Sequence, residues 1–307
     1  MKKPEKIKIA GVKRNTKYSP NHIGNDGKIF NLVVDHLVEM GYDVEEFTES
    51  EFVLGKVSAK HIFSMARDKT TISALKKAEN KGAMIVNSGY GIENCARENM
   101  TKLMLQHKLP HPKSIILNVD EDPSEKLEKM RAPAYWIKRG DSHAIHREDV
   151  SYARNVVEVT SILQEFGLRG IPNAVINEHL VGDLVKFYGV AGTDFFYWFY
   201  PFDLSHSKFG LEAINGEAQE FKFSVEELKK ACDKAGEVLN VQVYGGDCVV
   251  DKDGSFKIID FNDWPSFAPC REIAAPKIAE CIHKKVSESL TEEKNGWFFR
   301  LLHKLGR

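Results

Sequence analysis

The sequence predicts an α/β chain in which a doubly wound N-terminal unit precedes a two-part α+β region. Three observations carry this. Apolar strands alternate with helices of period 3.6 from Ile7 to Asn87. Pro110 and Pro112 then interrupt the pattern and mark a domain boundary. Further on the strands come in pairs, the last pair flanking Asp251-Lys252-Asp253-Gly254, where Asp-Gly signals a tight hairpin. The segments that follow are 1–110, 111–180, 181–290 and a tail at 291–307.

In the first segment Ile7–Val12 reads as a strand, and Lys13–Gly27 as a polar loop at its carboxyl end. Doubly wound sheets bind ligands at such a loop, although an ordinary surface loop has the same composition. Ile29, Leu32, Val33, Leu37 and Met40 recur at helical spacing and Gly41 stops them. Asp43–Phe47, His61–Met65 and Met84–Asn87 read as strands, with a helix at Thr70–Asn80. Ile92–Leu109 carries one apolar helical stripe up to Pro110. In the second segment Ser114–Val119, Ala134–Lys138 and Ala174–Leu180 read as strands, and Pro123–Met130 and Val150–Phe166 as helices. Leu184–Val190 and Phe195–Tyr200 form a hairpin about Gly192, and Phe202–Gly216 is loop-like. Ser224-Val-Glu-Glu227 is a capping box that opens a helix to Leu239. A last helix is expected from Ala275 to Leu290. The tail Trp297–Arg307 is basic and amphipathic; it suits a membrane surface or a partner, and best suits an apolar groove of its own chain.

Composition narrows the function classes. Lys and Arg number 43 against 44 Asp and Glu, which argues against a non-specific nucleic-acid binder. No run of ~18 apolar residues occurs, so no integral membrane association is expected. The five cysteines are scattered with no C-x-x-C spacing, which points to reduced thiols in the cytoplasm and away from a zinc site.

The stretch with the most chemistry is Tyr244–Phe267, YGGDCVVDKDGSFKIIDFNDWPSF. If Asp253-Gly254 is a two-residue turn, Lys252 pairs with Ser255, Val250 faces Lys257, and Asp247 faces Asp260. Opposed side chains share a face of the sheet at roughly 5 Å between Cβ atoms. Asn262, two residues on, shares that face too. Like charges so placed repel, and a hard divalent cation relieves the repulsion. Few carboxylates plus an amide oxygen suit Mg²⁺, which takes its other ligands from water and phosphates. A bulge would rotate Asp247 off the face, and a hairpin with solvated acids is the plainer alternative.

Lys138 closes a strand ahead of the polar loop Arg139–His143, where a lysine reaches a phosphate. Asn177, Glu178, His179 and Leu180 leave a strand with an edge that can hydrogen-bond an adenine ring. Lys186 and Arg97 add positive charge. Taken singly, each also fits a solvated surface residue. Neither a P-loop pattern nor G-x-G-x-x-G is present.

Taken in order, these residues resemble the ATP-grasp superfamily from about Ile7 to Leu290. The most specific part is YGGDCVV…FKIIDFNDWP. The resemblance implies a pre-ATP-grasp domain at 1–110, a small ATP-grasp subdomain at 111–180 and a large one, with the metal site, at 181–290. It implies Mg²⁺ on Asp247, Asp260 and Asn262, the ATP phosphates on Lys138, and adenine at Asn177–Leu180. Arg97, whose Arg97-Glu-Asn-Met100 loosely matches an Arg-x-x-Met helix of the inositol polyphosphate kinase branch, is a further nucleotide-binding candidate. Two departures stand out. Asp260 replaces the glutamate of many members, and Ala191–Pro201 has no arginine where most members keep one. The implied reaction joins a small-molecule or peptide carboxylate to an amine through an acyl phosphate. A kinase acting on an inositol-phosphate-like acceptor is the second expectation: Gly140–Ile145 is similar to the Ser-His loop of that branch, placing His143 and Lys186 on the acceptor. A protein that only binds nucleotide is the third.

Overall fold

The structure is a computed structural model and describes residues 6–18, 23–55, 57–142, 146–201, 214 and 216–305. It divides into two compact units. One comprises Met1–Gly89, Val190–Phe195 and Ser266–Arg307, the other Tyr90–Gly189 and Phe196–Pro265.

In the first unit, β1 (Lys8–Lys13), β2 (Asp43–Thr48), β3 (His61–Ser64) and β4 (Met84–Val86) form a parallel sheet in the order β2-β1-β3-β4. The chain starts in the middle and moves outward both ways, so the strand order reverses between β1 and β3. All four residues of β3 are buried, as expected of a parallel strand covered on both faces. The helices are α1 (Ile23–Glu39), α2 (Glu49–Val53), α3 (Lys69–Glu79) and α9 (Arg271–Leu305). Ile29, Phe30, Val33 and Leu37 form the buried stripe of α1, which packs against α9, where Ala275, Ile278 and Ile282 are buried.

Two expectations are corrected in this unit. Residues 23–27, assigned to the loop, are the first turn of α1: Asp26 there suits the positive helix end and pairs with Arg14 at 3.1 Å. The last helix is also far longer than expected, beginning at Arg271 and running through most of the tail to Leu305. Side chains from residue 293 onward lie outside the described residues, as does the Phe202–Gly216 stretch except residues 214 and 216.

The second unit holds two antiparallel sheets. β5 (Ser114–Asn118), β6 (Tyr135–Arg139), β7 (Val150–Ala153) and β8 (Asn173–Glu178) pair in the order β5-β8-β6-β7. One face packs Tyr135, Ile137 and Ile176 onto α6 (Ser124–Met130) and α7 (Val156–Leu168) through Leu127, Leu163 and Phe166. By alternation Trp136 and Lys138 point to the other face. β9 (Asp183–Val190), β10 (Phe196–Phe199), β11 (Val243–Val250) and β12 (Phe256–Asp263) pair in the order β10-β9-β11-β12. Phe187, Tyr244 and Phe261 cluster on one face, and α8 (Val225–Leu239) is capped by Ser224 as expected.

Two helices read from periodicity are revised. Ile92–Leu109 is two helices, α4 (Gly89–Asn94) and α5 (Arg97–Gln106), because Ala96 is extended at φ −58° and ψ 137°. Val150–Phe166 opens with the strand β7, whose Tyr152 pairs with Trp136, and Asn155 then caps α7 by accepting from the Glu158 N–H.

Candidate active site

The hairpin β11–β12 sets Asp247 opposite Asp260, by a route other than the expected one. The turn is longer: the Asp251 N–H donates to Ser255 O at 2.8 Å, the Gly254 N–H donates to Asp251 O at 2.9 Å, and Gly254 takes φ +82°. Lys252 therefore does not pair with Ser255, and Val250 faces Phe256 rather than Lys257. The register then shifts between Cys248 and Asp247, with Ile259 as the extra residue of a β-bulge. A one-residue longer turn and a one-residue bulge cancel, and the acids meet. Asn262, opposite Gly245, follows Asp260 on the same face. Gly246 is required here: a Cβ on it would lie 2.2 Å from Asp260 O and 2.7 Å from the Phe187 ring.

Each acid has a basic partner. Lys186 Nζ lies 2.8 Å from Asp247 Oδ1. Arg97 grips Asp260 through two contacts, at 3.0 and 3.4 Å. The break at Ala96 makes this possible by setting Arg97 at the first position of α5. That turn is fastened to the loop after β6: the Glu98 N–H donates to Gly140 O at 3.0 Å, Asn173 Nδ2 donates to Glu98, and the Gly140 N–H donates to Asn173 O at 2.9 Å.

Lys138 completes the cluster. It is 6% exposed and donates to the bulge carbonyl Ile259 O at 2.9 Å. Burial, with Arg97 adding to it, pushes its ammonium down to about 7, while Asp260 and Asp247 pull the other way. His111 sits beside these groups. Its Nδ1–H donates to Ile258 O at 2.7 Å, and burial holds the imidazole down at about 4 and therefore neutral. Sequence reasoning missed His111, because a histidine between two prolines reads as linker.

Asn177, Glu178 and His179 are set mainly by β-sheet contacts. The Glu178 N–H donates to Lys113 O and the His179 N–H to Ala134 O, at 2.9 and 2.8 Å. Asn177 Nδ2 donates to Ser114 Oγ at 2.6 Å, and the Glu178 carboxylate takes the Lys113 N–H at 2.8 Å and Lys257 Nζ at 3.2 Å. His179 Nδ1 accepts from Trp136 Nε1 at 3.1 Å, and burial lowers its pKa. Leu180 follows β8. His143 lies outside the described residues. Arg97, Lys138, Lys186, Asp247 and Asp260 thus form one charged cluster, and Asn177–Leu180 lie at the end of β8, the strand paired with the Lys138 strand β6 in the same unit.

No protein-family model and no curated protein matches the sequence. Solved structures do. A D-alanine–D-alanine ligase from Coxiella burnetii aligns over 96% of this chain and 100% of its own, with a TM-score of 0.67 at 9% identity. The Bacillus anthracis D-alanine–D-alanine ligase complexed with ATP aligns over 94% and 99%, with a TM-score of 0.64 at 14% identity. The ATP-grasp ligase PsnB, complexed with a minimal precursor, aligns over 92% and 100%, with a TM-score of 0.58 at 14% identity. The fold is that of the ATP-grasp ligases.

On this ATP-grasp fold the donor chemistry of the hairpin fits a hard divalent cation. Among the described residues no three His, Cys, Asp or Glu side chains gather into a metal site. Two carboxylates and an amide on one face suit Mg²⁺, which needs few protein ligands when phosphates supply the rest. Arg97, Lys138 and Lys186 outnumber the two acids they surround, which suits an anionic polyphosphate beside the cation. Among the described residues, no helix is long and apolar enough to cross a membrane.

Proposed function

We propose that the chain is an ATP- and Mg²⁺-dependent, ADP-forming ligase that joins a carboxylate to an amine. The observation that carries this is the opposition of Asp247 and Asp260 on one face of β11–β12, with Arg97, Lys138 and Lys186 gathered around them. The neighbours named as D-alanine–D-alanine ligases, and the ligase held with a precursor, favour a small amino-acid or peptide carboxylate as acceptor.

In such a reaction the acceptor carboxylate takes the terminal phosphoryl group of ATP and ADP departs. The amine nitrogen then attacks the acyl carbon and phosphate leaves. Asp247, Asp260 and Asn262 would hold Mg²⁺, which neutralises charge on the phosphate oxygens. Lys138 and Arg97 hold phosphate oxygens from the protein side, and Lys186 keeps Asp247 in place. These groups are pre-set in a poorly solvated site, where fixed charges act more strongly than in water. Adenine is assigned to the end of β8 at Asn177–Leu180. On this reading residues 1–110 precede the grasp, 111–180 and 181–290 are its two halves, and 291–307 is an appendage.

ADP release from Mg·ATP, measured against a panel of carboxylates with amines, tests the proposal. Turnover that requires both reactants, with hydroxylamine trapping the acyl phosphate, is the expected result. Turnover with inositol phosphates alone would replace the ligase by a kinase, and ATP binding without any ADP release would leave a nucleotide-binding protein.

A further inference from the structure

The bulge at Ile259 is what makes the two acids meet. Continued without it, the ladder that pairs Cys248 with Ile258 would set Asp247 opposite Ile259. Asp260 would then turn to the face of Tyr244 and take the place that Phe261 holds there. A bulge leaves its extra residue outside the ladder, so something else has to hold it.

Three contacts from earlier in the chain hold it and the ladder residue just before it. The Ile258 N–H donates to Pro110 O at 2.7 Å. His111 Nδ1–H donates to Ile258 O, also at 2.7 Å, and His111 is 6% exposed. Lys138 donates to Ile259 O at 2.9 Å. Two consecutive carbonyls, that of the bulge residue and that of the residue before it, are thus each held by a buried side chain. Lys138 faces the proposed phosphates, whereas the His111 hydrogen bond goes to the backbone it clamps.

We infer that His111 is a positioning residue, which fixes the β12 bulge so that Asp260 is presented beside Asp247 as a metal ligand. The inference rests on the ligase reading for its functional half and on hydrogen-bond geometry alone for its structural half. An asparagine at this position places its amide nitrogen about where Nδ1 lies and keeps the donor; a leucine fills the volume without one.

The test uses the full chain as wild type, H111L and H111N, with two readouts. The first is hydrogen exchange at amides 258–261 without nucleotide. The second is affinity for a non-hydrolysable ATP analogue with and without MgCl₂. H111L is expected to speed exchange there at least tenfold while α8 stays protected. It is also expected to weaken Mg²⁺-dependent binding at least tenfold, with metal-free binding within twofold. H111N is expected to restore both. Unchanged exchange in H111L would overturn the clamp. Faster exchange with unchanged Mg²⁺-dependent affinity would overturn its positioning role. Faster exchange in a chain whose wild type binds no nucleotide would support the clamp and overturn the ligase reading.

Discussion

Glu49 in the first unit and Lys138 in the second are almost equally buried, at 3% and 6% exposed, yet they are treated in opposite ways. Glu49 accepts from the backbone N–H groups of Asn15 and Asp68, both at 2.8 Å, and of Arg67 at 3.3 Å. Its charge is resolvated by the protein and ties the segments after β1 and β3 together. Lys138 has one hydrogen bond among the described residues and lies near the guanidinium of Arg97. A buried charge with a full set of partners is a structural fastening. One left short of partners has room for something the chain does not itself supply, which on the proposed reading is an anion.

The largest expected effect removes what the lysine waits for. Asp260→Asn keeps the volume and takes away the carboxylate that Arg97 grips and the proposed cation would use. Mg²⁺-dependent ADP release should fall by a hundredfold or more, on the order of the loss when one preorganised electrostatic group is removed. Unchanged turnover would end the metal assignment.

Lys138→Met tests the comparison directly. The lysine's pKa of about 7 lies below its ordinary value of 10.5, so its charged form costs stability. That cost is complete below about pH 7 and fades as pH rises towards 10.5. The variant should therefore be more stable than wild type near pH 6, by about 2–4 kcal/mol in urea unfolding. The gain should shrink at higher pH, and nucleotide affinity should be lost. Glu49→Gln should do the reverse, losing about 2 kcal/mol because a charged acceptor of three N–H groups becomes a neutral one. A Lys138 variant that destabilises as the Glu49 variant does would dissolve the distinction.

The smallest effect is in pH. An anion beside Lys138 raises its pKa, so binding takes up a proton above about pH 7. Nucleotide affinity should be flat below that point and fall up to about tenfold per pH unit above it. Calorimetry in buffers of different ionisation enthalpy reads the proton directly, and an affinity indifferent to pH between 7 and 9 would separate Lys138 from the nucleotide.

Much of this architecture was legible because burial writes itself into periodicity. The β-α alternation of the first unit is visible in this way, while the Gly192 hairpin and the Ser224 cap are legible from local turn and capping chemistry. Periodicity was blind where a distant contact decides. The apolar stripe runs unbroken through Cys95 and Ala96, yet the chain opens there and Arg97 reaches Asp260. Val150–Ala153 fits a helical window, but pairing with β6 makes it a strand. The hairpin is the instructive case. Asp-Gly fits a two-residue turn as well as a three-residue loop with glycine at positive φ, and the bulge that restores the pairing depends on residues far upstream. The acids were found, but His111 and the ion-pair partners Arg97 and Lys186 adopt were not.

Among the described residues β12 ends its sheet, with β11 on one side and no strand on the other. A bare edge is a template on which a second molecule can add its own strand, the first step towards fibrous aggregates. The kink at Ile259 twists that edge out of line, and Pro110 occupies the Ile258 N–H that an incoming strand would need. The same irregularity that brings two acids together therefore also takes a pairing group away from that edge.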